Sequence, residues 1–110
     1  MFLGYPIITM GKGTHLASKN IVIGEKPTRE NIEKFSIELG LDKPMCKLFF
    51  WQCKNDKEVS YTNFEKLEKA SKEAKYTYMC RSYDSDAHGW GIASGKLANG
   101  WIDEMLNFIG

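Results

Sequence analysis

YTYMCRSYDSDAHGWGIAS, residues 76–94, decides the fold. Two runs of strand-like composition, YTYMCRSY (76–83) and HGWGIAS (88–94), flank DSDA (84–87), whose Asp and Ser residues favour turns. The pattern predicts a β-hairpin in which Tyr83 faces His88 and Arg81 faces Trp90. Side chains alternate along a strand, so Met79, Arg81 and Tyr83 would share a face with His88, Trp90 and Ile92. Cys80, Ser82, Gly89, Gly91 and Ala93 would line the other face. Arg81 would then lie over Trp90 in a cation–π contact.

Working outward, MCKLFFWQC (45–53) is the most apolar run. Phe49, Trp51 and Cys53 point one way while Leu48 and Phe50 point the other, as in a strand covered on both faces. YTNFEKLEKASKEAK (61–75) predicts a helix opened by a Thr62/Glu65 capping box, with Phe64, Leu67, Ser71 and Ala74 inward. A second helix follows Thr28 over 29–39 and stops at Gly40, and a third covers 97–109. KND (54–56) reads as a turn. FLGYPIIT (2–9) reads as an edge strand or one beginning at Ile7, because Pro6 cannot donate to a ladder. NIVIGE (20–25) reads as its hairpin partner across the glycine loop 10–20. The expectation is a single small α+β domain over 1–110, in the order β-β-α-β-α-β-β-α. Three helices would pack on a mixed sheet of about five strands.

Composition narrows the function. Formal net charge is +1, and of fifteen basic residues only Arg29 and Arg81 are arginine. Phosphate recognition favours arginine's planar fork, so nucleic acid is disfavoured as a partner. Three widely spaced cysteines do not form an even disulfide set, and no apolar run is long enough for a membrane span. These features point to a soluble, reduced, cytoplasmic protein, in a host's cytoplasm if it is viral; lysine, asparagine and isoleucine abundance suggests an AT-rich coding genome, such as that of a low-GC bacterium or a phage, and the small size and lysine content suit a phage or mobile-element accessory protein.

Metal and cofactor patterns fail. Asp84, Asp86, His88 and Gly89 open like a calcium loop, but Gly95 stands where a bidentate glutamate should close it. Cys46, Cys53, Cys80, His15 and His88 contain no Cys-x₂₋₄-Cys pair for zinc. GKGTH (11–15) lacks the first glycine and the hydroxyl residue of a phosphate-binding loop. No metal and no cofactor is expected.

The best recognition surface is Arg81, Tyr83, His88 and Trp90, rimmed by Asp84 and Asp86, since Tyr, Trp and Arg dominate binding hot spots. Lys12, Thr14 and His15 form a secondary loop. The leading expectation is an inhibitor-type protein that occludes an unknown protein partner, with a homodimer left open. The alternative is a nucleotide-like ligand stacked on Trp90 or Tyr83, its phosphates met by Arg81, His88 and Lys12. The third reading is a small enzyme with His88 as acid or base, assisted by Asp84, Tyr83 or Cys80. The balance leans away from an enzyme.

Overall fold

A computed structural model describes all of residues 1–110. Its elements are β1 (Phe2–Gly4), α1 (Leu16–Ile23), α2 (Arg29–Phe35), α3 (Ile37–Gly40), β2 (Leu48–Cys53), α4 (Thr62–Glu73), β3 (Tyr78–Tyr83) and α5 (Trp101–Ile109). β2 is the axis of the molecule, and all six of its residues are buried. β1 and β3 flank it, both parallel to it, in the order β1-β2-β3. The register pairs Phe2 with Phe49 and Gly4 with Trp51 on one side, and Leu48 with Tyr78 and Cys53 with Tyr83 on the other.

Parallel neighbours cannot be joined by a tight turn; the chain must cross over, and here α4 makes the crossover from β2 to β3. α4 buries Phe64 and Leu67 against Leu48 and Phe50, with Ile8 completing the cluster. The other face of β2, formed by Phe49, Trp51 and Cys53, packs with Ala93, Ala98 and Trp101. The sheet is therefore covered on both sides, as its two-faced apolar strand demands. Each large side chain buried this way contributes roughly 1.5–3 kcal/mol. No helix is long and apolar enough to cross a membrane.

Between β1 and β2 the chain is held by buried polar groups. Asn63 Oδ1 accepts from the Ile8 and Thr9 N–H groups at 2.8 and 3.1 Å, while its Nδ2 donates to the Gly13 and Ser60 carbonyls. Ser36 Oγ accepts from Met10 N–H and donates to the Ile32 carbonyl. The backbone at Ser36 is extended, at φ −86° and ψ 108°, and this divides the expected 29–39 helix into α2 and α3.

The expected α+β architecture, a mixed five-stranded sheet with three helices, is corrected to three parallel strands and five helices. The hairpin does not form. Gly89, Gly91 and Ala93 have φ of 73°, 57° and 58°, and left-handed residues at alternate positions cannot extend as a strand. Residues 88–94 instead run as turns, and β3 has no antiparallel partner. NIVIGE is not a strand either. Its apolar residues belong to α1, which His15 caps by accepting from Ser18 N–H and which Gly24 ends at φ 84°. The first strand is an edge strand, one of the two expected readings, and it lies before Pro6 rather than beginning at Ile7. In α4 the expected Thr62 cap is displaced, since Thr62 is already helical and Ser60 Oγ accepts from its N–H.

Candidate active site

In a parallel sheet the loops at the strands' carboxyl ends lie together at one edge, where ligand sites form. β2 ends at Cys53 and β3 at Tyr83, and Asp56 and His88 follow three and five residues later. The two meet there: His88 Nδ1 lies 2.8 Å from Asp56 Oδ2. The Asp56 side chain is fully buried and that of His88 is 32% exposed. Asp56 Oδ1 also accepts from the Glu58 and Val59 N–H groups, both at 2.9 Å, and Gln52 Nε2 reaches Oδ2 at 3.4 Å. Both carboxylate oxygens are thus committed, which fixes the side chain's orientation.

A carboxylate that only accepts assigns the proton to His88 Nδ1 and leaves a lone pair on Nε2. Nε2 has no partner within the chain. A buried acid, an imidazole in the Nδ1–H tautomer and a free Nε2 have the arrangement that the base half of a nucleophilic relay requires.

Tyr5 supports the histidine from below. Its ring lies 4.8 Å from that of His88 and 4.5 Å from that of Trp51. Its hydroxyl accepts from Trp90 N–H at 2.8 Å. Burial pushes the Tyr5 phenol up to about 12. The residue sits at φ 50°, immediately before Pro6. A bulky side chain in the left-handed region costs about 1–3 kcal/mol and persists only where its surroundings hold it.

The residues singled out from sequence are dispersed. Arg81 does not cover Trp90; its Nε donates to Glu104 Oε2 of α5 at 2.6 Å. Trp90 is half-buried, 6.3 Å from Trp51, and Tyr83 packs edge-on to Trp51 at 5.4 Å, where burial raises its phenol. Asp86 pairs with Lys57 at 2.7 Å, and that hydrogen bond holds its carboxyl below the usual range. Asp84 is exposed. In the secondary loop, the Lys12 carbonyl accepts from Lys66, Thr14 N–H donates to Gly11, and His15 caps α1. That loop is pinned to α4 through Lys66 and Asn63 rather than to His88.

Cys80 pairs in register with Phe50, on the face under α4, and its thiol donates to Glu68 at 3.6 Å. Burial, then Glu68, pushes the thiol up to about 11, the reverse of what a nucleophile needs. No three His, Cys, Asp or Glu side chains converge as a metal-ligand set would.

Asp56 was missed because KND reads as a turn and because its partner lies 32 residues away. A usable signal was present. An acid just past one buried strand and a His-Gly just past the next, joined by one helix, place both groups at the same sheet edge.

No family model matches this chain. It is 30% identical over 101 residues to an endo-1,4-beta-xylanase B of Butyrivibrio fibrisolvens, covering 92% of this chain and 16% of that protein. The chain thus spans about a sixth of the length of the curated relative it matches. The structure of an acetyl ester-xyloside bifunctional hydrolase from Caldicellulosiruptor lactoaceticus superimposes with a TM-score of 0.89 at 25% identity. That match covers 99% of this chain and 43% of the hydrolase. A lipase/esterase from Lactobacillus plantarum shares the fold, with a TM-score of 0.62 at 23% identity over 99% of this chain and 41% of its own.

These likenesses overturn the inhibitor reading and its phage setting: the neighbours are hydrolases acting on carbohydrates and esters. The geometry agrees, because the surface proposed to occlude a partner does not exist as one face. The nucleotide alternative fails as well, since Arg81 is committed to Glu104 and His88 to Asp56. The third reading had named Asp84, Tyr83 or Cys80 as the companion of His88, and none of these is its hydrogen-bond partner.

Proposed function

We propose that this chain carries the acid–base half of an ester-hydrolysing site: Asp56 orients His88, and His88 Nε2 takes the proton from a hydroxyl nucleophile. The 2.8 Å bond between a fully buried carboxylate and a partly exposed imidazole carries the reading. The chain order fits too, since in α/β-hydrolase sites the acid precedes the histidine and both follow the serine. No Gly-x-Ser-x-Gly turn occurs within residues 1–110. The nucleophile and the oxyanion donors are therefore assigned to polypeptide outside this span.

The relatives' names offer two chemistries, ester and glycoside cleavage. Glycosidases commonly use two carboxyl groups flanking the bond. Asp56 is buried with both oxygens bonded to protein donors, so it cannot serve as one of such a pair. An acyl ester of a carbohydrate is the substrate class that satisfies both the names and the site. The free thiols of Cys46, Cys53 and Cys80 support a reducing, cytoplasmic setting.

The test replaces the matching 43% of the Caldicellulosiruptor hydrolase with this chain and follows release of acetate from an aryl acetate. Asp56→Asn should lower kcat by about 10³–10⁴-fold, and His88→Ala by at least as much. A folded, active chimera indifferent to His88→Ala would overturn the reading.

A further inference from the structure

We propose that Tyr5 is the positioning residue of this site: it fixes the position and the tautomer of His88 by packing against the imidazole and holding the backbone beside it. The inference rests on the Asp56–His88 reading and extends it to a third residue.

Asp56 holds only one ring nitrogen, and His88 lies in an irregular stretch between β3 and α5. A single hydrogen bond leaves the ring free to pivot about it. Two contacts remove that freedom, and Tyr5 makes both. Its ring packs at 55° to the imidazole, and its hydroxyl holds the N–H of Trp90, two residues beyond His88. The next anchor along the chain is Trp101 Nε1 donating to the Gly91 carbonyl at 3.2 Å.

Tyr5 can do this because it is itself fixed. Its N–H donates to the Trp51 carbonyl at 3.0 Å, extending the β1–β2 ladder by one residue. Its ring rests on Trp51, and Pro6 turns the chain away immediately afterwards. The left-handed conformation at φ 50° is what swings the phenol toward the strand ends instead of leaving it in the alternation of β1. The ends of all three strands thus converge on one imidazole, through Tyr5 after β1, Asp56 after β2 and His88 itself after β3. Phenylalanine could supply the ring contact, but only a hydroxyl can accept from Trp90.

The experiment compares the 110-residue chain with Tyr5→Phe and Asp56→Asn, all labelled with ¹⁵N. The two His88 ring-nitrogen shifts report the tautomer, and amide exchange reports the Trp90 N–H. In the wild type one Nδ1–H tautomer should dominate, and the Trp90 amide should exchange at least tenfold more slowly than that of Gly89. Tyr5→Phe should keep a cooperative melt, abolish the Trp90 protection and reduce the tautomer preference at least threefold. A folded Tyr5→Phe with the tautomer ratio of the wild type, while Asp56→Asn still collapses it, overturns the Tyr5 proposal and leaves the acid–base pair standing. No change in either variant overturns the pair itself. Should Tyr5→Phe not fold, the wild type decides: absence of Trp90 protection or of a nuclear Overhauser contact between the Tyr5 and His88 rings refutes the proposal.

Discussion

α1 and α4 invert the usual relation between composition and burial. LASKNIVI is the greasier helix, yet none of its residues is buried, and Leu16 and Ile21 are 64% and 86% exposed. TNFEKLEKASKE is mostly charged and polar, yet it buries Asn63, Phe64, Leu67 and Ser71. Period explains the difference. Phe64, Leu67 and Ser71 recur at helical spacing and make one stripe, whereas the apolar residues of α1 fall at its two ends, Leu16 and Ala17 first and then a consecutive run of Ile21, Val22 and Ile23 that wraps around the helix. The crossover beside the site is thus tied to the sheet, and the segment carrying α1 is tied to α4 through the polar grip of Asn63 on Ile8, Thr9 and Gly13.

The contrast can be broken most sharply by truncating one residue on each helix. Leu67→Ala, at 1% exposure, should cost about 2–5 kcal/mol, while Ile21→Ala should stay within about 0.5 kcal/mol. Urea denaturation measures both, and equal losses would show that α1 is packed after all. Next in size, Asn63→Ala should cost about 2–4 kcal/mol, since it strips the acceptor from two buried N–H groups. Faster amide exchange at Ile8 and Thr9 is the accompanying signature.

A smaller effect depends on pH. The Cys80 thiol, facing Glu68 of α4, moves from 9.0 to about 11, and the Tyr5 phenol from 10.0 to about 12. Both are raised in the folded protein, so their contribution is intact below pH 9 and is lost as pH climbs toward 12. The melting temperature should therefore fall between pH 9 and 12, and less steeply in Cys80→Ala. Smallest of all, Arg29→Ala removes a solvent-exposed pair with Glu33 on α2 and should leave the urea midpoint where it is.

The parts of the fold legible in the sequence are those that periodicity governs. Leu48–Cys53 reads as a doubly covered strand because both its alternating sets are apolar, and α4 and α5 show through their inward stripes. Tyr78–Tyr83 reads as a strand, but its neighbour is β2, parallel to it, and not the segment that follows. HGWGIAS has the composition of a partner strand, and only backbone geometry at Gly89, Gly91 and Ala93 forbids it. His88 stood out as a candidate acid or base at the start of the expected return strand. Its partner did not, because hairpin pairing drew attention to Asp84 and Asp86, and a parallel crossover is what delivers Asp56. Tyr5 was invisible for a related reason: a tyrosine before proline at a strand end carries no chemical signature until the imidazole beside it is seen.

The order of the sheet decides how the three groups are kept together. Acid, base and brace all lie between residues 5 and 88, within one run of adjacent strands. All three depend on how β1 and β3 register against β2, so a one-residue slip of either strand would part Tyr5 or His88 from Asp56.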